Sequence, residues 1–543
     1  MLTTRLLSKL GILILLTKCF GQQVDSKPKT AADYRVTALP GLSADYTFDQ
    51  YAGHIGINET VDGHLFFWLF KSQIPDSRKL IIWFNGGCVI LDGIFLENGP
   101  FKPLENGTLK VEENSWHKHA NMLFLDQPIG TGYSYGDDAG YAKNMEQVTN
   151  GFVVFLSRFF EVFPELQINE IYLAGESFAG VYIPYLAKGI LDYNDKAKNR
   201  IKHNLKGLVI GNGWIDPRTQ YNSLVEYGYD HGLIEESQKG RIESLTASCN
   251  TLFETHGDRI RFEACESIME TILTNSIHDG KCMNQFDIRL QDSYPACGMN
   301  WPNHLSEMYS YLQNDEVVKA LHAEAKQTAW KECSNIVNAN LGDDASPPPK
   351  DLFPTILKRV PILLFYGDQD LVCNIIGIEK ALQKIEWNGE KGFGNIMAES
   401  WLVNDKLVGI HSSARNLTYI RVFNASHMVP VDKREESYAM MNWFMGIEDP
   451  LFKVSIGDSK IPIADNAGLD EKTAVKDGKL SEPNNATDSV ALGLIIGMIS
   501  MAAFVGVFLG WYIKRRRYTI LAPHSGQDSE LTDFIIDDEE LSD

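Results

Sequence analysis

Short apolar runs bounded by turn residues punctuate the chain: Leu80-Ile-Ile-Trp-Phe84, Met122-Leu-Phe-Leu125, Ile171-Tyr-Leu173, Gly207-Leu-Val-Ile210, Pro361-Ile-Leu-Leu-Phe365 and Leu417-Thr-Tyr-Ile-Arg-Val422. Runs this short and this apolar predict strands buried on both faces of a sheet. Between several of them, Val148 to Phe160 and Gly180 to Tyr193 repeat apolar residues at three- and four-residue spacing, which predicts helices. The order strand, helix, strand predicts an α/β fold with a mostly parallel central sheet. Ahead of it, Gly63 to Phe70 suits an antiparallel strand. From about Trp214 to Ser346 the alternation gives way to polar helical segments and a cysteine cluster. That predicts a helical, disulfide-linked insertion over the sheet edge, closed by the breaker run Ser346-Pro-Pro-Pro349.

Two longer apolar runs decide the compartment. Residues 1–21 carry Arg5 and Lys9 ahead of Leu10 to Thr17, then small residues near Gly21, the pattern of a secretory signal peptide cut near Cys19 to Gln23. Residues 490–513 hold no charged side chain, which at 1.5 Å per residue is enough to span a bilayer as a single C-terminal transmembrane helix. Trp511 and Tyr512 suit an interfacial aromatic belt. Lys514-Arg-Arg-Arg517 then places the 514–543 tail in the cytosol, making a single-pass type I protein with a lumenal bulk. Residues 448–488 read as an acidic and polar lumenal stalk. In the tail, Tyr518-Thr-Ile-Leu521 has the spacing of a tyrosine-based signal for sorting adaptors. Sequons at Asn58, Asn106, Asn416, Asn424 and Asn485 all lie on the lumenal side of this topology.

With 50 Lys and Arg against 71 Asp and Glu, the net charge of −21 argues against a nucleic-acid partner. The 44% hydrophobic content is ample for a packed core. Of eight cysteines, Cys19 leaves with the signal peptide, and the seven that remain imply one free thiol beside as many as three disulfides. Their spacings include no C-x2-C pair and no nearby His-x3-His, which sets zinc aside; no metal and no cofactor is expected.

Gly175-Glu-Ser177-Phe-Ala-Gly180 follows one predicted strand and opens a helix, the context a nucleophile elbow needs, although Ala179 stands where the pattern has Gly. Asp368 and Asp370 follow a second strand, and His427 a third. A serine hydroxyl is a poor nucleophile until an imidazole takes its proton, and a carboxylate must hold that imidazole in the right tautomer. The chain order Ser, Asp, His is that of the α/β-hydrolase fold.

These motifs, with Trp83-Phe-Asn-Gly-Gly87, Asp126-Gln-Pro-Ile-Gly-Thr-Gly-Tyr-Ser-Tyr135, Gly367-Asp-Gln-Asp-Leu-Val-Cys-Asn374 and Ser426-His-Met-Val-Pro430, closely resemble the serine carboxypeptidase family from about residue 32 to 447. The whole layout resembles its membrane-anchored fungal branch, which trims C-terminal Lys and Arg from prohormones in the trans-Golgi network. The resemblance implies that Ser177 is the nucleophile, His427 the base and Asp370 the orienting acid, with Asp368 structural. It implies an oxyanion hole from the N–H groups of Gly87 and Phe178. A substrate carboxylate would be bound by Asn85, Glu97 and Glu176, with Trp83 in support. Two acids facing a carboxylate make sense if one or both are protonated, since close carboxyls raise each other's pKa and a neutral acid donates a hydrogen bond. An acidic optimum follows. The resemblance also implies the pairs Cys88–Cys333, Cys249–Cys265 and Cys282–Cys297, with Cys373 free near the site and open to mercurials. Partners would be peptides or proproteins ending in Lys or Arg.

One loop departs from the family. Members continue Asn-Gly-Gly with Pro-Gly-Cys-Ser-Ser, whereas Gly87 is followed here by Cys88-Val-Ile-Leu-Asp-Gly93. Tolerated variation, a misjoined exon and a catalytically impaired paralogue are three readings of it. A lumenal binding protein on a hydrolase scaffold, an esterase or lipase, and a carboxypeptidase of broader specificity are the alternatives to the Lys/Arg-processing enzyme.

Overall fold

The computed structural model describes residues 29–87, 91–198, 201–326, 328–331 and 334–461. Its centre is an eleven-stranded sheet. In chain order the strands are β1 (Gln50–Asn58), β2 (Gly63–Phe70), β3 (Lys79–Phe84), β4 (Asn121–Asp126), β5 (Glu170–Glu176), β6 (Leu205–Gly211), β7 (Ile362–Gly367), β8 (Ala398–Val403), β9 (Lys406–Ala414), β10 (Leu417–Val422) and β11 (Val454–Ile461). Across the sheet they run β1-β2-β4-β3-β5-β6-β7-β10-β9-β8-β11.

The expectation of a mostly parallel sheet needs correction. The six central strands, β4 to β10 in spatial order, are parallel, but the β1–β2 and β2–β4 pairs on one flank are antiparallel, as are β10–β9, β9–β8 and β8–β11 on the other. The sheet is therefore mixed. Tight turns are the physical reason: Asn404 and Asp405 (φ 50° and 61°) join β8 to β9, and Arg415 and Asn416 (φ 49° and 75°) join β9 to β10. Positive φ at both central residues gives the turn twist that returns a strand antiparallel to its neighbour.

The central strands are buried on both faces, as their unbroken apolar runs require. In β3, Leu80, Ile82 and Phe84 pack on one side with Phe152 and Phe155 of helix α1 (Met145–Val162) and Ile183 and Leu186 of helix α2 (Ala179–Lys196). Ile81 and Trp83 face the opposite core, with Phe124 and with Tyr438 to Met441 of helix α7 (Arg434–Phe444). Helix α1 starts where Asn144 Oδ1 accepts from Gln147 N at 3.0 Å, closing one of the open N–H groups of its first turn.

The polar stretch after Trp214 leaves the sheet between β6 and β7, which are neighbours near its middle rather than at a lateral edge. Helix α3 (Pro217–Asp230) packs on α6 (Ile375–Lys384), whose Gly377 sits against Ser223 and Gln220. Cys249–Cys265 ties helix α4 (Glu236–His256) to the start of the next helix, and Cys282–Cys297 closes a small hairpin. Helix α5 (Leu305–Leu312) crosses to the far flank, where Leu312 O accepts from Tyr133 Oη at 2.5 Å. The stretch thus spans the carboxyl ends of the strands instead of capping one edge.

Within the segment read as a solvated stalk, Val454–Ile461 is in fact strand β11, paired with β8. The signal peptide, stalk residues 462–488, the membrane span, the tail, Asn485, Cys88 and Cys333 lie outside the described residues. Among the described residues no helix is long and apolar enough to cross a membrane. Asn58, Asn106, Asn416 and Asn424 are all exposed.

Candidate active site

Strand β5 ends at Glu176 between β3 and β6, with Gly175 opposite Phe84 and Glu176 opposite Gly211. The next residue, Ser177, has φ 58°, a left-handed conformation that costs a side-chain-bearing residue on the order of 1 kcal/mol. Hydrogen bonds on both sides hold it there: Ser177 N donates to Gly211 O at 3.0 Å, while Ser177 O accepts from Gly180 N and Trp214 N, each at 2.9 Å. Helix α2 begins two residues on. The elbow is packed so closely that a Cβ at Gly175 would lie 2.1 Å from Phe84 O. The loop after β3 lies directly against it, since a Cβ at Gly86 would fall 2.3 Å from Ser177 Cβ and 2.4 Å from Phe178 N. Gly87 continues this loop with φ 55°. The backbones of Gly87 and Phe178 therefore flank the serine, as an oxyanion hole needs.

Asp370 follows β7 and His427 follows β10. His427 Nδ1 meets Asp370 Oδ2 at 2.6 Å, with both side chains at most 2% exposed. The carboxylate is heavily supported: Oδ2 also accepts from Asn212 Nδ2 at 2.9 Å and Cys373 N at 3.1 Å, and Oδ1 from Val372 N at 2.9 Å. Because the carboxylate only accepts, the proton sits on Nδ1 and leaves Nε2 free to take another. The imidazole is held from its other side by Phe286, whose carbonyl accepts from His427 N at 2.9 Å and whose ring lies 5.2 Å away, itself stacked on Trp301. Asp368 turns elsewhere and accepts from Asn424 N at 2.8 Å, bracing the loop that carries His427. Cys373 is a buried free thiol within 4.8 Å of the pair. Burial and the Asp370 charge push its pKa well above the usual thiol range, so it stays neutral.

Beside the elbow lies a buried acidic pair. Asn85 Nδ2 donates to Glu97 Oε1 at 2.5 Å and to Glu176 Oε1 at 3.4 Å, and Asn85 Oδ1 accepts from Trp83 Nε1 and Gly93 N, both at 3.0 Å. Trp83, Asn85, Glu97 and Glu176, which the resemblance grouped as a carboxylate-binding set, thus lie in one hydrogen-bonded network. The two carboxyls are close enough to interact directly, and among the described residues neither Oε2 has a donor outside the pair. Burial raises both pKa values. Glu176 is pushed well above the carboxylate range because the Glu97 charge adds to burial, whereas Glu97 is pulled back first by its contact with Glu176, then by Asn85, His427 and Arg434. Two carboxyls so placed resist ionising together, so the pair holds a proton more tightly than free carboxyls do.

Sequence reasoning missed Asn212, Phe286, Gly86 and Arg434. The turn Gly211-Asn-Gly213 at the end of β6 was the available signal for Asn212. Phe286 had none, because it reaches His427 only through the fold of the hairpin closed by Cys282–Cys297.

The comparisons agree with this geometry. Residues 40–446 match the family described as Serine carboxypeptidase. The pheromone-processing carboxypeptidase KEX1 of Tuber melanosporum is 40% identical over 521 residues, covering 90% of this chain and 82% of that protein. That of Pyricularia oryzae is 42% identical over 439 residues, covering 78% and 69%. The crystal structure of Kex1Δp, a prohormone-processing carboxypeptidase from Saccharomyces cerevisiae, superposes with a TM-score of 0.73 at 33% identity, covering 79% of this chain and 99% of that one. The match runs through the elbow serine, the buried Asp–His pair and the buried acid pair, and with these relatives it shows that the chain belongs to the serine carboxypeptidase family.

Proposed function

We propose that this serine-type carboxypeptidase removes C-terminal Lys and Arg from peptides and proproteins, using Ser177, His427 and Asp370 as its catalytic residues. Ser177 Oγ attacks the last peptide carbonyl as His427 Nε2 takes its proton, and Asp370 stabilises the imidazolium that forms. The N–H groups of Gly87 and Phe178 receive the oxyanion. His427 then returns the proton to the leaving amine, and water repeats the sequence on the acyl-enzyme.

The observation that carries the reading is the acid pair beside the elbow. An esterase or lipase has no use for two buried carboxyls sharing a proton next to its nucleophile, whereas a substrate ending in a free carboxylate needs donors there. Asn85 and the protonated member of Glu97 and Glu176 are such donors, with Trp83 fixing Asn85. Binding then weakens as pH rises and the shared proton leaves, which favours acidic conditions. The Lys/Arg preference rests on the names of the pheromone- and prohormone-processing relatives. A type I anchor in the trans-Golgi network, with the catalytic domain lumenal, rests on the apolar segment 490–513, the basic cluster after it and the exposed sequons.

The test uses the full chain in detergent with a peptide ending in Lys-Arg, its amidated twin, a Phe-ending control and Ser177→Ala. Release of Arg and then Lys from the free acid alone, lost in Ser177→Ala, is the expected result. Equal release from the Phe control would leave a carboxypeptidase of broader specificity. No release from a folded chain would turn attention to Cys88-Val-Ile90 and to the impaired-paralogue reading.

A further inference from the structure

We infer that Arg434 is a positioning residue for carboxylate recognition: it clamps the turn that carries Glu97 and supplies the standing positive charge that offsets the acid pair. The inference rests on Glu97 and Glu176 receiving the substrate's terminal carboxylate.

Arg434 is the first residue of α7, seven positions after His427, so one short segment carries both. Its side chain is only 19% exposed. Nη2 donates to Leu96 O at 3.3 Å and Nη1 to Gly99 O at 3.4 Å, so the planar fork bridges the carbonyls on either side of Glu97. The same turn is closed from within by Gly93 O, which accepts from Asn98 N at 3.0 Å and Gly99 N at 2.8 Å.

Helix capping does not explain a cation at this place. The first turn of a helix favours negative charge, a role that Glu435 and Glu436 already fill on α7. The guanidinium instead faces two acids, Glu97 and, at 3.9 Å from Nε, Glu112, which is also bonded to Lys110 at 3.0 Å. Around the acid pair itself stand Asn85, Asp92, His427 and Arg434. Among these described neighbours Arg434 alone is a permanent positive charge, since His427 is positive only when protonated. A substrate carboxylate arriving at two acids and Asp92 enters a site crowded with negative charge, and Arg434 is the fixed counterweight.

The experiment measures kcat and KM for a free-acid peptide from pH 4.5 to 8 with the full chain and its Arg434→Gln and Arg434→Lys variants. Gln keeps donors for the carbonyls and removes the charge. The expected result is a KM raised roughly three- to tenfold at pH 5, the size of one partly screened charge, with kcat within about twofold. Removing the cation also lets the pair hold its proton to higher pH, so the alkaline rise in KM moves up. Lys should keep that rise at the wild-type pH even if the lost fork lowers thermal stability. An unchanged KM in Arg434→Gln, or one raised equally at every pH with no movement of the alkaline limb, would overturn the inference. The amidated peptide separates the two levels. If the wild-type chain does not distinguish acid from amide, the carboxylate reading itself fails; if it does and Arg434→Gln behaves as wild type, only the role of Arg434 fails.

Discussion

The side-chain amide of Asn212 donates to the same Asp370 oxygen that holds His427, at 2.9 Å against 2.6 Å. Asn212 is fully buried with φ 35°, and its Oδ1 accepts from Gly367 N at 2.9 Å, so it pins the end of β7 to the end of β6 while fixing the acid. Asn212→Ala removes that tie yet leaves Asp370 its two backbone donors. We expect kcat to fall about tenfold with KM nearly unchanged, against roughly 10³- to 10⁴-fold for Asp370→Asn, where the imidazole loses its tautomer. Steady-state kinetics on the two variants check this; an Asn212→Ala kcat within twofold of wild type would contradict it.

The parallel core and the three catalytic candidates were legible because each is local: an apolar run, then a Ser, Asp or His at its end. Of the antiparallel flanks only Gly63–Phe70 was legible, from its own apolar run. Strand β1 carries Gly53, His54 and Gly56, and the edge strand β11 carries Gly457, Asp458, Ser459 and Lys460, so neither offers an apolar run. An edge strand has solvent along one side and needs none. The hairpin turns Asn404-Asp405 and Arg415-Asn416 lack the glycine that marks such turns most clearly. Asn212, Phe286 and Arg434 were illegible for another reason. Their roles exist only through partners 158, 141 and more than 300 positions away, respectively, Asp370 for the first, His427 for the second and the Leu96–Gly99 turn for the third.

The loop on the far side of the serine gives a steric test. A methyl at Gly86 would meet Ser177 Cβ at 2.3 Å and Phe178 N at 2.4 Å, where neither backbone can yield without moving the elbow. At Gly87 the same methyl has no described residue within 4 Å and meets the cost of φ 55°, on the order of 1 kcal/mol. Gly86→Ala should therefore lower kcat/KM by about 10² or more, the scale of losing an oxyanion donor, and Gly87→Ala by far less. Circular dichroism alongside the kinetics separates a misplaced elbow from a misfolded chain. Equal losses in the two variants would sink the idea.

Phe286 bonds His427 through its backbone and braces the imidazole with its ring. Phe286→Ala keeps the hydrogen bond and removes the brace along with the stack on Trp301. The imidazole then gains freedom to tilt away from Ser177, and we expect kcat to drop several-fold with KM little altered, Phe286→Tyr remaining near wild type. A change confined to KM would instead place Phe286 against the substrate.

Buried titratable groups set how stability depends on pH. Burial pushes the Asp126 carboxyl from 3.8 up to about 7, opposed by the Tyr133 N–H and the Lys326 charge. Its Oδ2 accepts from Tyr133 N at 2.7 Å, and Oδ1 has no donor among the described residues. The folded chain therefore binds this proton more tightly than the unfolded one, and stability falls as pH rises from about 4 to 7, by at most about 1.4 kcal/mol per unit. Glu97, Glu176, Glu266 and Glu379 are raised by burial and act with the same sign. Burial lowers His54, His117 and His203 from 6.5 to about 4, which works the opposite way: the unfolded chain takes up those protons, and stability rises with pH until about 6.5. The two sets oppose each other below that point. Above it the histidines are neutral in both states and only the carboxyls remain, so the balance tips. The melting temperature should change little between pH 5 and 6.5 and fall between 6.5 and 8. Asp126→Asn, whose amide oxygen can still accept the Tyr133 N–H, should fall less over that upper range. Unfolding midpoints of both chains across pH 5 to 8 check this, and a wild-type midpoint that keeps climbing to pH 8 would show that the carboxyls are ionised in the folded state.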